Sequence, residues 1–338
     1  SNTKHSAPQS TASEFIIGHN KSSDTNLICE AFNNFFINVG PNVSSSIPPS
    51  AVDPLSYLNH TTRDSFFFSP VSEVELHNII REMKNKSPGY DGFCADPIKA
   101  VADIIIPPLV HIFNLSFSQG IVPKELKMAQ VVPLFKKGLS SDVSNYRPIS
   151  LLPLISKFLE KLVHKRLYKF LLDNNILSSQ QFGFQPGKNT AQALISVIDK
   201  ISKAFERREV TLGVLLDFQK ASDTVQHSIL LSKLLKHGIR GIAYTCNWFL
   251  HYLSDRHQKV LFKGSLSCSG LVSCGVPQGS ILGPLLFLLY INDLSSVSNR
   301  LSFTLFADDT NAFISAPTAD MAIAIVNEEL VNLNVWLI

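Results

Sequence analysis

The chain has 338 residues, 45% hydrophobic and 17% charged, with a formal net charge of +3. That balance can bury a sizeable core and excludes a largely disordered chain; it permits a polyanionic partner without demanding one. At about 150 residues per domain, the length predicts about two domains or one large domain with subdomains.

Residues 1–25 are polar, Ser-rich and aperiodic, and read as a linker or flexible end. Residues 26–40 carry Leu27, Ile28, Phe32, Phe35, Phe36 and Val39 at helical spacing, which predicts an amphipathic helix. Residues 41–64 read as loop. Ser72 followed by Glu75 is a capping-box pattern ahead of Val74, Leu76, Ile79, Ile80 and Met83, so a helix starts there. After the tight turn at 88–92 comes an apolar helix over 97–118, then a strand, MAQVVPLF, with Lys136-Lys137-Gly138 as its polar exit.

The segment 145–153 is extended and leads into a long helix with Leu154, Phe158, Leu162, Leu167 and Leu171 on its apolar face. Lys157, Lys161 and Lys165 lie four apart on another face, either a solvated stripe or a grip on phosphates. Residues 180–190, QQFGFQPGKNT, form a loop before a helix over 191–207. VTLGVLLDF, 210–218, reads as a buried strand containing Asp217, and a carboxylate at the end of an apolar strand is rarely there for packing. Helices at 228–238 and 242–254, strands at 258–262 and 271–274, a turn at 276–280 and an apolar helix at 285–294 follow.

Residues 301–315, LSFTLFADDTNAFIS, place two apolar runs around Asp308-Asp309-Thr310-Asn311, a hairpin signature. Residues 319–338 are helical by periodicity. The mixture of hairpin, strands and helices without regular alternation predicts an α+β fold.

Cys29, Cys94, Cys246, Cys268 and Cys274 form no CxxC pair or zinc pattern, which predicts free thiols in a reducing compartment. The N-terminus has no signal-peptide core. The longest apolar run, 281–291, is broken by Gly283 and Pro284 and is too short to span a bilayer. The expectation is a soluble intracellular protein without a membrane partner.

Two adjacent carboxylates in a turn repel, and a hairpin needs only one turn former. The pair is either a plain polar turn or a cation site, since Mg²⁺ takes hard oxygen ligands from one or two carboxylates and substrate phosphates. With Asp217 from another strand, three carboxylates can meet at one spot, the donor set of a two-metal phosphoryl-transfer centre.

Six stretches in order resemble the reverse transcriptases of non-LTR, LINE-type retrotransposons, most of all the jockey-like elements. They are NKSPGYDG (85–92), NYRPISLLPLISKFLEKLVHKRL (145–167), QFGFQPGKNTAQAL (181–194), LLDFQKASDTVQHSILLSKL (215–234), GVPQGSILGPLLFLLYINDL (275–294) and FADDT (306–310). The resemblance implies a right-hand polymerase: a flexible region with one helix at 1–65, fingers over 66–205 and an incomplete palm over 206–338. It implies that Asp217, Asp308 and Asp309 hold two Mg²⁺ ions, with Mn²⁺ as a substitute. A primer 3′-hydroxyl would attack the α-phosphate of a dNTP on an RNA template.

By the same resemblance Pro277, Gln278 and Gly279 shape the floor under the nucleotide, and Phe218 and Ser222 lie beside it. Arg147 sits near triphosphate or template, and Lys157, Lys161 and Lys165 near nucleic acid. Lys188 is either an exposed loop lysine or a phosphate contact, and Lys220 likewise. Asp223 supports or caps rather than reacts. The element's way of life implies the nucleus or cytoplasm; oligomeric state is left open.

Two positions depart from the family pattern. After Asp217 the family reads D-x-x-K-A-F-D, and here Ser222 replaces the aromatic that excludes a 2′-hydroxyl. The family's G-F-R becomes Gly183-Phe184-Gln185, and glutamine cannot make arginine's bidentate charged contact with phosphate. Unless Lys188 compensates, weaker triphosphate binding is expected. The chain stops soon after the hairpin, so the thumb is expected to be missing. The second reading is an inactive, element-derived remnant that at most binds nucleic acid. A third, an RNA-templated RNA polymerase or nucleotidyl cyclase, is disfavoured by the finger motifs.

Overall fold

The computed structural model describes residues 12–48, 52–58, 62–240 and 245–337. The stretch read as a linker contains a hairpin: β1 (Phe15–Ile17) pairs antiparallel with β2 (Asn20–Ser22). Three-residue strands carry no period to read, yet Phe15 is fully buried. Its ring meets Phe32 at 5.2 Å, Phe262 at 5.4 Å and Tyr146 at 5.7 Å. Helix α1 (Thr25–Ser46) supplies Phe32 and is capped by Asp24, whose carboxylate accepts from Asn26 N. It runs through Pro41, six residues beyond the predicted end.

Helix α2 (Glu73–Glu82) starts at Ser72, whose hydroxyl accepts from Glu75 N. The expected return bond from Glu75 is replaced: its carboxylate takes a two-pronged contact from Arg166, at 2.8 and 2.7 Å. A guanidinium matches both oxygens at once, so it outcompetes one backbone N–H. The helix expected over 97–118 is two, α3 (Ala95–Ala100) and α4 (Ala102–Gln119).

Strands β3 (Met128–Phe135) and β4 (Tyr146–Leu151) pair antiparallel, and α5 (Leu154–Asp173) buries Phe158, Leu159, Leu162, Val163, Leu167 and Leu171. Each such side chain contributes roughly 1.5–3 kcal/mol on burial, enough to fix the helix in the main core. Helix α6 (Thr190–Glu206) follows, with a full capping box between Asn189 and Gln192. Then come β5 (Val210–Leu216), α7 (His227–Lys236) and α8 (Thr245–Leu253). The start of the helix expected at 242 lies outside the described residues.

Next in the chain are β6 (Arg256–Phe262), β7 (Ser265–Leu266) and β8 (Gly270–Val272). Helix α9 (Gly283–Ile291) is apolar almost all round and buried, as such a helix must be. The expected hairpin is β9 (Ser302–Phe306) and β10 (Asp309–Ala316), and α10 (Ala319–Leu337) closes the described chain.

The fold is mixed α/β. One sheet has the order β5-β10-β9, all antiparallel. The other has β4-β3-β6-β7, with β8 also on β6 and the β3–β6 pair parallel. That parallel pair joins residues 128–131 to 257–260, so the second sheet crosses the boundary expected near residue 205. Its aromatic core of Phe15, Phe32, Phe36, Tyr146 and Phe262 is separate from the larger core under the helices. Among the described residues no helix is long and apolar enough to cross a membrane.

Candidate active site

Strand β5 and the β9–β10 hairpin bring the three predicted carboxylates to one sheet end. The last register pair there is Leu216 with Thr310. Asp217 follows Leu216 and Asp309 precedes Thr310, so the ladder sets them beside each other, with Asp308 next along the turn. All three are exposed. Among the described residues none of their carboxylate oxygens receives a hydrogen bond or an ion pair. No group of three His, Cys, Asp or Glu side chains among those residues is arranged to hold a metal ion. The oxygens of the three carboxylates are acceptors only, the hard donor type that a divalent cation takes.

The turn itself is unusual. Ala307 is 5% exposed and adopts φ +56°, the left-handed region that residues with a Cβ avoid. It is held by a segment far away in sequence. Phe182 N donates to Leu305 O at 2.8 Å and Leu305 N to Gln180 O at 2.9 Å, a parallel bridge along β9. Gln181, 4% exposed, accepts with Oε1 from Ala307 N (2.9 Å) and Gly183 N (2.8 Å), and its Nε2 donates to Ala307 O (3.3 Å). Gly183 lies so close that a Cβ there would stand 2.8 Å from the Phe306 carbonyl carbon, and nearer still to Ala307 N. Lys200 on α6 pins the same hairpin, donating to Phe303 O and Thr304 Oγ1.

These bonds revise the reading of the loop. Gln185 is buried, with Nε2 donating to Gln181 O at 2.9 Å. Lys188 donates to the same oxygen at 2.7 Å and to Ser179 O at 3.3 Å, with its ammonium over the Phe182 ring. Burial lowers its pKa. Both side chains bond a carbonyl of their own loop. The sequence shows an amide beside a glycine here but not its partner, 126 positions on.

Beyond Asp217, Phe218 packs against the main core and the chain makes a 3-10 turn over Ala221–Asp223. Ser222 O accepts from Val276 N at 2.8 Å, stitching this turn to the Pro277–Gly279 loop. Asp223 does not cap a helix: its Oδ1 accepts from Gln278 Nε2 at 2.7 Å, and its Oδ2 is buried without a partner. Burial raises its pKa, offset in part by Gln278 and Lys220. Gln278 O in turn accepts from Ser150 N on β4 at 2.7 Å, so one residue links the turn, the loop and the second sheet.

Lys220, at φ +54°, donates to Ser144 O and lies over the Phe35 ring. Its pKa is lowered, by burial first and then by Lys136 and Arg147, against the pull of Asp223. Lys136, Arg147 and Lys220 therefore form one basic cluster. Arg147 is exposed on β4, and Lys136 N donates to Asn145 O where the β3–β4 hairpin opens.

The α5 lysines are unequal. Lys157 is half-buried and its pKa is lowered by burial. Lys161 bonds Glu82 at 2.9 Å, and only Lys165 is exposed without a direct carboxylate partner. Sequence reading also passed over Glu160 on this helix. Its buried carboxylate accepts from Tyr252 Oη at 2.7 Å and Ile281 N at 2.6 Å, directly after the Pro277–Gly279 loop. The signal available was a carboxylate inside an otherwise apolar helical face.

Residues 134–337 match the family described as reverse transcriptase (RNA-dependent DNA polymerase). The chain is 31% identical over 285 residues to the "Probable RNA-directed DNA polymerase from transposon BS" of Drosophila melanogaster, covering 79% of this chain and 30% of that protein. It is 33% identical over 247 residues to the corresponding probable polymerase of that fly's transposon X-element, covering 72% and 27%. To the "RNA-directed DNA polymerase from mobile element jockey" it is 32% identical over 240 residues, covering 70% and 26%. The chain thus spans under a third of the length of these relatives.

Proposed function

We propose that this chain, which belongs to the reverse transcriptase family and is a jockey-like non-LTR member of it, forms the fingers and palm of an RNA-directed DNA polymerase. The observation that carries this reading is the set of three exposed, unpartnered carboxylates, Asp217, Asp308 and Asp309, at the ends of neighbouring strands. They would hold two Mg²⁺ ions. Cations bound there would supply Lewis-acid polarisation of the α-phosphate and lower the pKa of the primer hydroxyl.

The rest falls to the chain's own groups. Lys136, Arg147 and Lys220 offer positive charge to a dNTP triphosphate, as phosphoryl transfer by positioning and electrostatics requires. The Pro277–Gly279 loop, braced through Gln278 to Asp223 and Ser150, forms the floor beneath the base pair. Ser222 beside it leaves the sugar edge without the family's aromatic. Lys165, with Lys157 and Lys161 behind it, faces the nucleic-acid backbone, an RNA template paired with a DNA primer.

The test is primer extension on poly(rA)/oligo(dT) with Mg²⁺ and dTTP, using the Asp308→Asn/Asp309→Asn double variant as the blank. Extension above the blank is the expected result. A folded protein that binds the hybrid but extends no further than the blank would overturn it in favour of a remnant that only binds nucleic acid, a reading that Ser222 also suits.

A further inference from the structure

We propose that Gln181 is a positioning residue for the Asp308–Asp309 turn, acting through the Ala307 peptide. The inference rests on the reading of that turn as the cation-holding element. Ala307 has no side-chain group to bond locally and sits in a backbone region that its Cβ disfavours. Such a conformation persists only where the surroundings over-determine it. Gln181 supplies that constraint from both sides of one residue, accepting from Ala307 N and donating to Ala307 O.

Only an amide of this length does both. A carboxylate of the same shape would face the Ala307 carbonyl with a second acceptor, and an apolar isostere would leave Ala307 N–H and C=O buried without these partners. Gln181 is itself held in place. Its own carbonyl accepts from Gln185 Nε2 and Lys188 Nζ, and Gly183 lets its strand lie against Ala307. The arrangement fixes the direction in which the chain leaves Ala307 and hence where Asp308 and Asp309 start. A displacement of about 1 Å in a reacting constellation is enough to cost roughly a hundredfold in rate.

The experiment compares wild type, Gln181→Leu, Gln181→Glu and Gln185→Leu, all as the full chain. The last perturbs the same loop without touching Ala307. Hydrogen–deuterium exchange of the segment 304–310 reads the turn directly, and Mn²⁺ titration by electron paramagnetic resonance reads cation affinity. Gln181→Leu should speed exchange across 304–310 and weaken Mn²⁺ binding, each by about tenfold, with the second sheet unchanged. In primer extension kcat should fall while the KM for dTTP holds, which general loosening of the loop would not produce. Gln181→Glu, which keeps both acceptor contacts, should lie between and serves if the leucine variant does not fold. Unchanged exchange at the turn in a folded Gln181 variant, or equal acceleration in Gln185→Leu, would overturn the proposal. If wild type binds no Mn²⁺, the cation reading of the turn falls, and the exchange data alone decide the role of Gln181.

Discussion

Gly279→Ala tests whether the Pro277–Gly279 loop is built as tightly as its contacts imply. Gly279 has φ +117°, and a Cβ there would stand 2.5 Å from the Ser150 carbonyl oxygen. Holding a residue with a side chain in so sparsely populated a region costs roughly 1–3 kcal/mol. Forcing an extra carbon into a filled space costs roughly another 1–3 kcal/mol. Ser150 cannot retreat freely, because its N–H donates to Gln278 O and it pairs with Val131 in the sheet. Losing that hydrogen bond adds about 1 kcal/mol. The sum, roughly 3–7 kcal/mol, is a large share of the 5–15 kcal/mol or so that stabilises a typical domain. Gly264→Ala is the reference: φ is +84°, but nothing lies within 4 Å of the added carbon, so only the backbone cost applies. Urea unfolding of both variants, followed by circular dichroism, should give Gly279→Ala the lower midpoint by a margin worth at least about 2 kcal/mol. Equal losses would refute the close-approach argument.

Other outcomes follow from buried polar groups. Burial raises the Glu160 pKa, so its folded value lies above the unfolded one. Its contribution favours folding below the unfolded pKa of about 4.3 and is lost as pH rises through the raised folded pKa. Glu160→Gln should flatten that decline in urea midpoints measured from pH 4 upward. Asp293→Ala strands the Lys233 ammonium, whose side chain is 4% exposed and which bonds Asp293 at 2.6 Å. The loss should be about 3–5 kcal/mol by the same assay, and a loss below 1 kcal/mol would mean that Tyr290 O and the flanking rings suffice. Ser222→Phe should raise the dTTP/UTP incorporation ratio by about tenfold or more, read by single-nucleotide extension.

What the sequence made legible was local. VTLGVLL and the two runs around Asp308-Asp309 are apolar and β-prone over five residues or more, and they formed strands, although β5, expected to be buried, has no buried residue and exposes Leu215 at 79%. That Asp217, Asp308 and Asp309 would meet at one sheet end was legible for the same reason, since each lies at the end of such a run. Elements that depend on a distant partner were not legible. The β1–β2 hairpin is too short to have a period, and only the aromatic rings of α1, β4 and β6 make Phe15 a core residue. Residues 41–64 read as loop, yet α1 continues through Pro41 to Ser46, and Val43 and Ile47 line a cavity of about 180 Å³ with Phe218, Tyr290 and Trp336. By residue type Lys188 suggested a phosphate contact and Gln185 the loss of one. Their amide and ammonium instead meet one carbonyl in their own loop, a choice fixed by backbone geometry that composition does not encode.

The charge layout around residues 217–223 explains why this short segment carries so much of the proposed chemistry. At its start Asp217 joins a purely acidic strand end. Three residues on, Lys220 belongs with Lys136 and Arg147 to a basic cluster; at its finish Asp223 is tied to Gln278. A nucleoside triphosphate with its cation presents the complementary pattern, positive toward the carboxylates and negative toward the basic groups. Lys188 and Lys200 bond backbone carbonyls, while Lys220 bonds Ser144 O and lies over the Phe35 ring. None of these ammonium groups pairs with Asp217, Asp308 or Asp309, which would leave the proposed cation site to ions that accompany the substrate.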